Sequence, residues 1–137
     1  MGWTGEYVQE EQMALMAAAG VIRDEDTKRQ IGETIGLLKH HGATSVLIDC
    51  TEAVSEVSLA SIYRLPDYVT QLGAPWLLRV ALVIPRRRYR METYELTQLV
   101  FNNAGYDVKL FETKAAAEDW LQHPPAAPRF VNQFSAA

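Results

Sequence analysis

Residues 45–50 read Ser45-Val46-Leu47-Ile48-Asp49-Cys50, a short apolar run that ends in an acid. The run shows no polar alternation, which is typical of a strand buried on both faces of a parallel sheet. A polar stretch follows, and then Ser58 precedes apolar residues at helical spacing. A serine in that place is predicted to cap the helix. A buried strand, a loop and a helix in this order indicate an α/β unit.

The same strand-then-helix order continues on both sides of this stretch. The patterns predict strands at 6–8, 13–17, 46–48, 79–84 and 107–111, and helices that begin near residues 27, 59, 91 and 114. A short turn joins the first two strands, which makes them antiparallel, whereas single helices between the others predict parallel pairing. The prediction is an α/β fold: a single domain over 1–122 with a mostly parallel sheet of about five strands and about four helices, and a Pro/Ala-rich tail over 123–137.

The composition of the chain argues against several classes of protein. The 137 residues carry a formal charge of −4, which disfavours a protein that coats nucleic acid, so we expect no nucleic-acid partner. The single cysteine, Cys50, excludes an internal disulfide and is typical of a reducing compartment. Neither a signal peptide nor an apolar run of membrane-spanning length is visible, so a cytoplasmic location is expected.

The order of elements, with Asp49 at a strand end and Ser58 at the next helix start, resembles the anti-sigma-factor-antagonist (STAS) fold, and within it the SpoIIAA-like group. That group shares its layout with CRAL-TRIO-type lipid-transfer domains. The resemblance covers residues 6–122 and also rests on the strands at 79–83 and 106–111 and the helix at 115–121. It is one of pattern more than of invariant motif.

The resemblance implies a small non-enzymatic domain that docks a partner or, in some relatives, a lipid or nucleotide-like ligand. Phosphorylated members are modified by a partner kinase on a serine at the start of the helix after the buried strand, and Ser58 matches that position. Those members carry an Asp-Ser-Ser-Gly type sequence. Here the chain reads Val57-Ser58-Leu59-Ala60, without the acid and the glycine. The residues alone assign Ser58 the ordinary role of a helix cap.

Four arginines, Arg86, Arg87, Arg88 and Arg90, follow the strand that ends at Ile84. They are therefore predicted to lie at the carboxyl edge of the sheet, where open α/β folds bind ligands, close to the start of the next helix. An anion or an acidic partner surface fits this turn chemically. The alternative is a solvated turn that serves solubility.

Three further polar residues, Asp49, Thr51 and Ser55, are assigned to the loop between the buried strand and Ser58. Asp49 is expected to form hydrogen bonds that cap this loop. The strand before it also looks like that of a phosphoaspartate receiver, but the spacing to the acids at 24–26 argues against one. Metal-ligand spacing, a phosphate-binding glycine pattern and a nucleophile–base pair are all absent from the sequence.

The functional hypothesis is a non-catalytic, regulatory STAS-like domain that docks a protein partner through the 50–59 loop and the 86–90 turn. The alternative is a carrier of the same fold that binds a lipid or a small anion near the helix containing Met91, Tyr94 and Leu99. No cofactor is expected. A homodimer is left open.

Overall fold

The computed structural model describes residues 2–124, in which five strands and four helices follow the predicted order. The strands are β1 (Gly2–Val8), β2 (Met13–Ile22), β3 (Ser45–Ser55), β4 (Arg79–Val83) and β5 (Asp107–Phe111). The helices are α1 (Asp24–His41), α2 (Leu59–Gln71), α3 (Met91–Asn103) and α4 (Lys114–Gln122). The predicted α/β fold is confirmed. The predicted tail lies outside the described residues from residue 125 onward.

The five strands form one sheet in the order β1-β2-β3-β4-β5. β1 and β2 are antiparallel and the other pairs are parallel, as predicted. Each crossover therefore steps to the next strand in the same direction. Right-handed crossovers that all step the same way place their helices on one face. Among the described helices, this arrangement leaves α4, which follows the last strand, to cover the opposite face.

Two apolar cores result, one on each face of the sheet. The larger lies under α1, α2 and α3 and includes Leu38, Ile62 and Phe101. The smaller lies under α4, where Leu47 of the central strand packs with Leu121. A single domain of this size can thus bury a core on both sides of its sheet.

Strand β3 is longer than predicted, which corrects the assignment of Asp49, Thr51 and Ser55 to a loop: all three lie within β3. A bulge in β3 explains why the sequence pattern missed the second half of the strand. Ala17 of β2 pairs with Asp49 and Ala19 pairs with Glu52, so β3 holds one extra residue. The bulge reverses the alternation of side chains between the faces, and a pattern with a period of two no longer detects the continuing strand.

Local signals fix most helix ends. Gly42 ends α1 with a left-handed φ of 63°, as glycine favours. Thr113 caps α4 through a side-chain bond from Ala116 N. Pro66 lies inside α2, and the helix continues without a break from Leu59 to Gln71.

Candidate functional site

Ser58 caps α2, as predicted, and also joins α2 to α1. Its Oγ accepts a hydrogen bond from Ser61 N at 3.1 Å. Its own N–H and O–H both donate to the Asp24 carboxylate, at 2.8 and 2.9 Å. Asp24 is the first residue of α1, so one carboxylate lies at two helix N-termini, where negative charge is stabilised. The sequence could not reveal this contact because 34 positions separate the two residues.

The connection between β3 and α2 lies against the turn after β4. Tyr89 Oη donates to Glu56 at 2.9 Å, and Arg86 N donates to Thr51 O at 3.2 Å. The Arg86 guanidinium also pairs with Glu52 at 3.0 Å. The two segments that the sequence placed at the carboxyl edge thus form one surface. We call it the carboxyl-edge surface and define it as Asp24, residues 56–59, Tyr63 and residues 86–90.

Most of the arginine charge in this surface is already compensated. Arg86 pairs with Glu52, Arg88 with Glu112, and Arg90 with Glu92. Arg90 is also the residue before α3, and its carbonyl accepts hydrogen bonds from Thr93. Among residues 2–124, Arg87 has no such carboxylate partner. An anion bound by the whole turn would have to compete with these three carboxylates, and Arg87 is the arginine of the turn that has no such competitor among residues 2–124.

Asp49 and Thr51 lie at the bulge of β3 and are hydrogen-bonded to one another. Asp49 Oδ1 accepts from Thr51 N at 3.0 Å and from the Thr51 hydroxyl. This is the local capping predicted for Asp49, although a strand and not a loop carries it. The described residues contain no cluster of three histidine, cysteine or acidic side chains that could hold a metal ion.

Ser55 is buried, with 5% of its surface exposed, and therefore does not belong to the carboxyl-edge surface. The bulge turns it toward the helices, where its Oγ is hydrogen-bonded to Thr93 Oγ1 at 3.2 Å and accepts from Val57 N at 3.4 Å. Ser55 therefore fixes the start of α3 against the end of β3 and is not exposed for a partner.

A cavity of about 160 Å³ lies between the sheet and the three helices that cover its larger face. Its lining is mainly apolar, and the residues facing it from the sheet include small ones such as Ala18, Cys50 and Ala53. Helix α3 contributes Tyr94 and Phe101. Short side chains beneath long helices leave the space unfilled. The sequence shows these small residues, but only the tertiary structure shows that they lie together.

This cavity partly agrees with the predicted ligand region. Tyr94 lines it, whereas Leu99, on the same helix, is 56% exposed and points away. Met91 is not among the lining residues.

The side chains of Cys50 and Tyr94 both line this cavity. Burial raises the pKa of Cys50 from 9.0 to about 12, although the Tyr94 hydroxyl opposes the shift. Burial likewise raises the pKa of Tyr94. Both groups are therefore protonated at neutral pH, and Cys50 is not a thiolate nucleophile.

This shift predicts a loss of stability in alkali. The unfolded chain releases the Cys50 proton near pH 9, whereas the folded chain keeps it to about pH 12. The stabilisation is thus complete below pH 9 and declines as the pH rises toward 12. Urea unfolding should show a free energy of unfolding about 1 kcal/mol lower at pH 10 than at pH 8. A smaller decline is expected for Cys50→Ala, and an equal decline in the two proteins would contradict the assignment.

None of the described helices has both the length and the apolar character needed to cross a bilayer.

Comparison with known proteins gives the fold. The chain is similar to the crystal structure of an uncharacterised DUF3478 protein with a SpoIIAA-like fold from Shewanella loihica. The identity is 26%, the TM-score is 0.55, and the match covers 88% of this chain and 94% of that one. It is also similar to the anti-sigma factor antagonist SpoIIAA in its unphosphorylated form, at 13% identity and a TM-score of 0.51. That match covers 86% of this chain and 96% of the other.

No protein-family model and no curated sequence matches the chain. The two structures agree with the observed mixed sheet and its four helices. The resemblance inferred from the strand ending in Asp49 and the helix starting at Ser58 is thereby confirmed: the chain has a SpoIIAA-like, STAS-type α/β fold.

Proposed function

We propose that this protein is a non-catalytic, cytoplasmic regulatory domain that docks a partner protein through the carboxyl-edge surface. The observation that carries the proposal is that residues 86–90 are bonded to Glu52 at the end of β3 and to Glu56 in the connection that leads into α2, at exposed side chains. A partner can thus contact the turn and this connection at once. The similarity of the fold to that of SpoIIAA, an anti-sigma factor antagonist, supports the same class of function.

The composition of this surface supports docking. Leu59, Tyr63 and Tyr89 are 42%, 65% and 50% exposed, although each carries a large apolar side chain. Arg87 lies in the same turn as Tyr89. Aromatic residues and arginine are enriched where protein interfaces are most tightly bound. Large apolar groups left in water favour a surface that a partner covers.

The side chains that could act as nucleophiles support a non-enzymatic role. Cys50 is buried and protonated. The Ser58 hydroxyl donates to Asp24 at a helix start and not to a histidine that could serve as its base. Both groups fit structural roles.

The docking proposal predicts that reversing one charge weakens partner binding. Arg87→Glu should weaken it at least tenfold while leaving the fold intact, because the described residues give Arg87 no ion pair to lose. Lys109→Glu, on an exposed residue in the middle of β5, makes the same charge change elsewhere. Partners recovered from a lysate of the source organism would be purified and titrated against wild type and both variants.

A partner that binds wild type and Lys109→Glu equally but Arg87→Glu weakly would support the carboxyl-edge surface. Equal binding by all three proteins would exclude it, and Tyr63→Ala would then test whether the apolar part of the surface acts without the charge.

A second function is favoured by the cavity beneath α1, α2 and α3. Its volume and apolar lining suit a small apolar ligand, so the domain is also proposed to bind one. Saturable binding of a benzene-sized probe, followed by NMR shifts of cavity-lining amides, would support this function. An absence of shifts up to the solubility limit of the probe would contradict it.

A further inference from the structure

One buried hydrogen-bond donor lies among the residues that line the cavity. Trp3 of β1 belongs to that lining, and its indole Nε1 is buried without an acceptor among residues 2–124. A buried donor that leaves its hydrogen bond unmade is costly, and native proteins rarely tolerate one. The indole N–H therefore calls for an acceptor that the described chain does not provide.

The other polar side chains around the cavity have partners. Gln30 Nε2 donates to Thr34 Oγ1 at 3.2 Å, and Thr34 Oγ1 donates to Gln30 O at 2.8 Å. Thr93 Oγ1 is hydrogen-bonded to Ser55 Oγ at 3.2 Å, and Thr97 Oγ1 donates to Thr93 O at 2.6 Å. Among the described lining residues, Trp3 Nε1 is the one buried side-chain nitrogen or oxygen without a partner. Trp3 Nε1 therefore differs from the other buried polar side-chain atoms of the cavity lining, because it alone lacks a hydrogen-bond partner among the described residues.

The size of the cavity limits its ligand. Its volume is about 160 Å³. An engineered apolar cavity of about 150 Å³ in another protein stays dry and binds benzene. One ring with a short substituent therefore fills this space, whereas a lipid with two long chains exceeds it.

The charge of the wall limits the ligand further. The described lining contains no lysine, arginine, histidine, aspartate or glutamate. An ionised ligand buried there would lose its hydration without gaining a counter-charge, which is strongly unfavourable. The ligand is therefore neutral.

From these observations we propose that the cavity binds a neutral, single-ring apolar molecule with one carbonyl or ether oxygen, which accepts a hydrogen bond from Trp3 Nε1. This inference rests on the proposed ligand-binding function and names its ligand class. The apolar wall supplies affinity, and the indole N–H selects for the oxygen.

Two probes of nearly equal shape test the inference, namely acetophenone, which carries a carbonyl, and ethylbenzene, which does not. Each is titrated into the full-length protein and into Trp3→Phe, and binding is followed by NMR. The chain has three tryptophans, so three indole N–H signals are expected, and the one missing from Trp3→Phe is that of Trp3. Thermal melting checks that the variant remains folded.

Wild type is expected to bind acetophenone, with a downfield shift of the Trp3 indole proton that ethylbenzene does not produce. Trp3→Phe should lower the affinity for acetophenone relative to ethylbenzene by about fivefold, the factor that one neutral hydrogen bond contributes. If the variant fails to fold, the Trp3 indole shift in wild type decides the matter alone. An unshifted Trp3 signal on saturation with acetophenone would overturn the role of Trp3 while leaving ligand binding intact. Failure of both probes to bind would overturn ligand binding itself.

Discussion

Replacing Leu47 with alanine is expected to lower the free energy of unfolding by about 3 kcal/mol. Leu47 is 0% exposed and lies in β3, the central strand, on the face that α4 covers. There it packs with Ala81 of β4 and Leu121 of α4. The neighbouring side chains are held by the sheet and by α4, so the structure around the gap relaxes only partially. Removing the isobutyl group therefore loses its burial and leaves a cavity.

Chemical denaturation of wild type and Leu47→Ala measures this effect. Leu99→Ala removes the same atoms from a side chain that is 56% exposed, and it should change stability by less than about 0.5 kcal/mol. A Leu47→Ala cost below about 1 kcal/mol would show that α4 does not pack against β3 as described.

A negative charge at position 58 is expected to destabilise the contact between the starts of α1 and α2, which Ser58 and Asp24 form. Ser58→Asp removes the hydroxyl that donates to Asp24 at 2.9 Å and places a second carboxylate beside the first. Aspartate is a good helix cap, so the change would be nearly neutral if capping were the sole role of Ser58. The lost bond and the repulsion between like charges predict a cost of about 2 kcal/mol, reduced by salt because both residues lie near solvent.

Urea unfolding of a small set of variants separates these causes. Ser58→Asn is neutral, similar in size and also a good cap, so it should cost less than Ser58→Asp. Adding Asp24→Asn to Ser58→Asp removes the repulsion and should restore most of the loss. If Ser58→Asp were as stable as wild type, or if Asp24→Asn failed to rescue it, the coupling between the two residues would be wrong.

This coupling also bears on modification of Ser58. A phosphate there would meet the Asp24 carboxylate before it met any partner. The charge would favour separation of the α2 start from Asp24 and would alter the carboxyl-edge surface at the segment proposed for docking. The same Ser58→Asp variant therefore serves as a probe of partner binding once a partner is identified.

The sequence by itself determined the fold class and the order of elements. The buried run at Val46-Leu47-Ile48, the glycine at the end of α1 and the caps at Ser58 and Thr113 are local signals, read over a few neighbouring residues. Hydrophobic periodicity and capping involve only neighbouring residues, so they can be recognised in a single sequence. The mixed sheet followed from the lengths of the connections.

Only the tertiary structure decided what the site contains. The bulge that keeps Asp49, Thr51 and Ser55 within β3 depends on the register against β2. The contact of Ser58 with Asp24 and the neutralisation of Arg86 by Glu52 join residues 34 positions apart along the chain. The cavity arises where small residues of the sheet meet under helices from three separate segments. Each feature depends on which distant side chains come within bonding distance, and this is set by packing of the whole fold and not by any local pattern.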